Sequence, residues 1–198
     1  DLIWRFVALA NGIYERCDDS TGKIQDIFHT ACEDLTELAM AAKPNPIELA
    51  DRLLVALPDD DYGHYPRLIS GLAHVLGTKG LSYLRSKITA GGADLSKSYA
   101  LRATLEQIAD AEGDVDGYIA QQGERGLKVP MVAAEIAHRL LDAGRFDEAW
   151  EAINAPDTER HRWIPYEWEV VRIDVLNALG RTEEAHAFGW SCFERTLN

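Results

Sequence analysis

Four glycines that close apolar helical segments at nearly even intervals constrain the fold of this 198-residue chain more than any other feature. Gly77, Gly113, Gly144 and Gly180 stand 36, 31 and 36 residues apart, and a new apolar segment begins within a few residues of each. The last two junctions nearly rhyme. Leu141-Asp142-Ala143-Gly144-Arg145-Phe146-Asp147-Glu148-Ala149 is answered by Asn177-Ala178-Leu179-Gly180-Arg181-Thr182-Glu183-Glu184-Ala185. A helix that ends on a left-handed residue favours glycine there, because a Cβ would clash. Charged residues just beyond restart a helix antiparallel to the first. Helix–turn–helix units with a period in the thirties predict an all-α chain built as an α-α superhelix, a solenoid of antiparallel helix hairpins.

The periodicity between the junctions agrees. Ile3, Phe6, Val7, Ala10, Ile13, Tyr14 and Cys17 follow one helix face, and Ile24, Ile27, Phe28, Ala31, Cys32, Leu35, Leu38 and Ala39 follow another. Asn45, Pro46 and Glu48 mark a helix start, with a capping amide, a first-turn proline and an acid three residues after the cap. Asp59-Asp60-Asp61 reads as an exposed acidic turn that helps cap the next helix. No segment alternates as a strand would, and about eleven helices fit the chain. Residues 89–98, rich in Gly and Ser, read as a flexible loop and as the mildest domain boundary within a single solenoid over 1–198.

A net charge of −13 repels phosphate backbones, so nucleic acid is an unfavourable partner and a basic one a favourable partner. No apolar run is long enough to cross a membrane, and no basic-then-apolar leader opens the chain. Three cysteines, Cys17, Cys32 and Cys192, are too few and odd in number for a disulfide framework, and point to a reducing cytoplasm. Each lies on an apolar stripe and reads as a buried thiol.

The junctions over residues 130–198 resemble the tetratricopeptide repeat. A glycine sits at the turn, an aromatic two residues later (Phe146) and an alanine five later (Ala149, Ala185), with weaker echoes at Gly77 and Gly113. Ala133 and Glu169 stand where that repeat has a large aromatic early in its first helix. The stretches Trp4-Arg5-Phe6-Val7-Ala8-Leu9-Ala10-Asn11, Glu15-Arg16-Cys17-Asp18-Asp19-Ser20, Ile108-Ala109-Asp110-Ala111-Glu112-Gly113-Asp114-Val115-Asp116 and Trp190-Ser191-Cys192-Phe193-Glu194-Arg195 resemble an uncharacterised, mostly proteobacterial family of helical proteins. Members of that family are longer at both ends. The resemblance therefore implies a fragment of a longer protein, and it implies no activity and no catalytic residues.

Each candidate chemistry has a structural alternative. His29 and Cys32 share a helix face, with Cys17, Asp18 and Asp19 a hairpin away, but no second ligand pair completes a zinc site. Asp59–Asp61 with His64 lacks the spaced acids and central glycine of a calcium loop. Nucleophile elbows, P-loops and H-E-x-x-H are absent, and six histidines are scattered singly. No metal, cofactor or catalytic residue is expected. Trp150, Trp163 and Trp168 form an aromatic cluster that either packs the wedge between hairpins or makes a ligand platform.

If the first helix of each hairpin lines a concave face, that face carries Glu135, His138 and Asp142 in one unit and Glu167, Val171, Asp174 and Asn177 in the next. Four of these seven are acidic. The expected function is that of a non-catalytic scaffold binding a basic or amphipathic peptide or protein in an acidic groove. The alternatives are a self-associating structural domain, and an enzyme or small-molecule binder with its site at the tryptophan cluster or completed by residues beyond this chain.

Overall fold

A computed structural model of the chain describes residues 1–91, 98–158 and 164–197. Among these it is all-α, with eleven α-helices and no strand. The described residues fall into two compact units, Asp1–Asp114 and Val115–Asn198. The division comes after Asp114, beyond the 89–98 stretch, of which residues 92–97 lie outside the described residues.

The first unit comprises α1 (Leu2–Val7), α2 (Ala10–Tyr14), α3 (Lys23–Ala42), α4 (Pro46–Ala56), α5 (His64–Ala90) and α6 (Tyr99–Glu112). The expected single helix over residues 3–17 is instead two short ones. At Leu9 the amide bonds back only three residues, to the Phe6 carbonyl, which tightens the turn and ends α1. The cap of α4 is as anticipated: the Asn45 side chain accepts hydrogen bonds from the amides of Ile47 (2.9 Å) and Glu48 (3.5 Å), and Pro46 holds the first turn. Helix α5 is the hub, packing against α3, α4 and α6. Its residues Leu68, Ile69, Leu72, Leu76 and Leu84 are buried with Leu35, Leu53, Leu57 and Ile108 from the elements around it. Each such side chain contributes about 1.5–3 kcal/mol relative to exposure.

The junction at Gly77 differs from its expected form. Helical dihedrals break there (φ 53°, ψ −176°), so α5 consists of two helical segments that meet at a kink on Gly77, with no turn residues between them. Gly113, Gly144 and Gly180 share another geometry. Each has φ between 67° and 73°, and the residue after it donates its amide to a carbonyl five residues back: Asp114 to Ala109, Arg145 to Leu140 and Arg181 to Leu176, all at 2.8 Å. Each glycine also donates to the carbonyl three residues before it. This paired closure satisfies carbonyls that a helix end leaves open.

The second unit comprises α7 (Val115–Gly126), α8 (Pro130–Asp142), α9 (Phe146–Asn154), α10 (Tyr166–Ala178) and α11 (Thr182–Thr196). Helix α8 packs on α9 and α10 on α11, while α10 also packs on both α8 and α9. Ala149 and Ala185 are buried where the paired helices approach, as their small size requires. The two junctions match in side-chain detail as well. Arg145 grips Glu148 through two hydrogen bonds (2.8 and 2.6 Å), and Arg181 grips Glu184 in the same way (2.7 and 2.6 Å). Both glutamates lie in the first turn of their helix, where the dipole favours a negative charge.

Candidate functional site

The residues expected to form the acidic groove all lie in the second unit, on α8 and α10, which pack side by side. Glu135, His138, Asp142, Glu167, Asp174 and Asn177 are exposed. Val171 is not: it retains 8% of its surface and belongs to the core with Val175 and Leu176, so it cannot touch a partner. The exposed stripe of α10 is narrower than expected, because Val171 is buried with the core residues of that helix. The exposed residues are also not electrostatically equal. The Glu135 carboxylate accepts a hydrogen bond from the Tyr118 hydroxyl (2.6 Å), and Asp142 pairs with His138 (3.2 Å). Glu167 and Asp174 have no hydrogen-bond or ion-pair partner among the described residues.

The aromatic cluster is filled from within. Trp163 lies outside the described residues. Trp168 is buried (4%) and donates its indole N–H to the Ile153 carbonyl at 3.0 Å. The Arg172 guanidinium stands over the rings of Trp150 (5.0 Å), Trp168 (5.2 Å) and Phe188 (5.1 Å), and Arg181 covers Trp150 at 4.3 Å. Arg172 also donates to the Asn154 side chain at 2.5 Å. Burial and the neighbouring Arg181 charge pull the Arg172 guanidinium below its ordinary value. The ring faces that a ligand would stack on are thus occupied by the protein's own cations. Arg172 was not among the expected site residues, although its place four residues after Trp168 sets both on one helix face.

Two motifs that lie apart in the sequence meet in the first unit. His29 and Cys32 on α3 face His64 and Arg67 on α5 across an open groove of about 530 Å³. Asp60 is buried (6%) rather than exposed, and its carboxylate caps α5 by accepting from the amides of His64 (3.1 Å) and Tyr65 (2.8 Å). Arg67 donates to His29 Nε2 at 2.6 Å, which makes that nitrogen the acceptor and puts the neutral ring's hydrogen on Nδ1. His64 is 3% exposed, packed against the rings of Tyr14, Phe28 and His29, and neither of its ring nitrogens has a hydrogen-bond partner. A buried polar atom left in this state costs about 1–3 kcal/mol. Burial holds the imidazole below its ordinary value; Asp60 opposes the shift, and His29 and Arg67 reinforce it. Arg67 was not among the expected site residues, though His64 and Arg67 share the i, i+3 spacing of His29 and Cys32.

Cys32 is half-buried and Cys17 exposed, so of the three thiols expected to be buried only Cys192 is. Burial and the Asp60 charge push the Cys32 thiol up to about 11, so it is protonated at neutral pH and is a poor nucleophile despite two nearby imidazoles. Among the described residues no group of three or more His, Cys, Asp or Glu side chains is placed to hold a metal ion. A further hollow of about 520 Å³ lies beside Trp4, Arg52 and Tyr65. Much of its charge is already matched: Arg52 pairs with Asp1 (2.5 Å) and Asp51 accepts from the Tyr83 hydroxyl (2.8 Å). Among the described residues no helix is long and apolar enough to cross a membrane.

The chain matches a family model described as a family of unknown function (DUF6880), over residues 1–98 and again over 91–198. No curated protein matches the chain. No solved structure matches it either.

Proposed function

Because the chain belongs to the DUF6880 family of unknown function, no activity comes with membership, and we propose from its own chemistry that it is a non-catalytic helical scaffold whose α8/α10 face receives a basic or amphipathic peptide. The observation that carries this reading is the pair Glu167 and Asp174. Both are exposed on α10 at positions seven apart, two turns along one face, and both lack partners among the described residues. In a chain of net charge −13 such a pair attracts a basic segment over a Debye length and holds it by charge-assisted hydrogen bonds at contact. The tetratricopeptide-like reading supports the same face, since the recurring junctions after Gly144 and Gly180 set α8 and α10 as the first helices of successive hairpins.

Panning the purified chain against a random peptide-display library tests the reading. Enriched peptides should carry Lys or Arg, bind less tightly as salt rises, and lose binding to the double variant Glu167→Lys, Asp174→Lys. Enrichment of acidic peptides, or binding that survives the double charge reversal, would refute it.

A further inference from the structure

We propose that the groove between α3 and α5 binds a small zwitterion of amino-acid type, with its carboxylate on Arg67 and His64 and its ammonium on Glu33 and Glu37. The inference does not rest on the peptide reading, which concerns the other unit.

Arg67 is a cation in a strongly acidic protein, yet among the described residues its hydrogen-bond partner is the neutral ring of His29 and not a carboxylate. A guanidinium that uses one donor on an imidazole keeps its fork free for a planar anion. His64, on the same helix and lining the same groove, is buried with both ring nitrogens unpaired. A neutral imidazole carries one N–H, and a carboxylate oxygen entering beside Arg67 is the group that would accept it.

The opposite wall sets the other half of the ligand. Glu33 and Glu37 line the groove one helical turn apart on α3, both exposed and both without a partner among the described residues. Two carboxylates there oppose a dianion such as phosphate and favour an ammonium. One wall thus carries a cation and a hydrogen-bond donor, and the other carries two anions. The space of about 530 Å³ lies within the range of small-molecule sites and leaves room for a side chain.

The test uses the purified chain and each of the protein L-amino acids singly, in isothermal titration and in NMR of the imidazole and guanidinium resonances. Expected is binding of at least one amino acid that moves the His64 ring and Arg67 Nε signals. Its deaminated and decarboxylated analogues should each bind at least about tenfold more weakly. Arg67→Gln and the double variant Glu33→Gln, Glu37→Gln should each weaken binding by a similar factor while keeping the parent's melting temperature, since all three side chains are exposed. Four results would overturn the proposal: no shift with any amino acid at millimolar concentration, equal binding of the deaminated analogue, binding unchanged by Arg67→Gln, or tighter binding of inorganic phosphate.

Discussion

The indole N–H of Trp168 closes the end of the preceding helix by donating to the carbonyl of Ile153 at 3.0 Å. Ile153 lies in the last turn of α9, where carbonyls have no partner within the helix. Trp168→Phe keeps an aromatic ring but leaves that carbonyl unpaired in a buried setting. The expected loss is about 1–3 kcal/mol from the hydrogen bond alone, with more for the smaller ring. Urea unfolding measures it, and a change below about 0.5 kcal/mol would show that the bond does not hold α9.

Gly144 and Gly180 both have φ of 73°, and a Cβ built on either would meet no atom within 4 Å. The cost of Gly144→Ala or Gly180→Ala is therefore conformational rather than steric, about 1–2 kcal/mol each. Valine at either position should cost more, because a β-branched side chain tolerates the left-handed region least. Thermal unfolding of the alanine and valine variants gives the order, and equal melting temperatures for parent and valine variants would contradict the closure described for these helix ends.

His64 links stability to pH. Its folded value is depressed from the ordinary 6.5, so the unfolded chain takes up the proton first as pH falls. The unfolded state then binds more protons, and stability drops as pH goes below about 6.5. Asp60 works against the depression and the Arg67 and His29 side chains deepen it. His64→Phe preserves the ring packing against Tyr14 and Phe28 and removes the titration. Between about pH 7 and pH 5 the parent should lose more stability than the variant, and identical slopes would show that His64 is not the group responsible.

The cysteines should separate by reactivity. Cys17 is exposed, whereas Cys32 is half-buried with its thiol pushed up to about 11. At about pH 8 the thiolate fraction of Cys32 is on the order of one in a thousand. Cys192 is buried, and its thiol is also raised. Iodoacetamide followed by peptide mass spectrometry should label Cys17 well before the other two. Comparable rates at Cys17 and Cys32 would contradict the burial of the α3/α5 contact.

Local chemistry was legible in the sequence by itself. Apolar spacing located the helices, Asn45 and Pro46 announced the start of α4, and glycines beside charged residues announced the closures at Gly113, Gly144 and Gly180. These features depend on bonds within a few residues, so the chain encodes them wherever it lies. The tertiary structure decided what covers each face. It buried Val171, left Cys17 exposed, made the Gly77 junction a kink without turn residues, placed Arg172 over the tryptophans, and brought His29 and Cys32 to His64 and Arg67. A periodic pattern reports which side of a helix is apolar, but not which neighbour meets it. That choice is made largely by contacts between residues on different helices, where side-chain shape and the cost of unpaired polar groups select one packing among many.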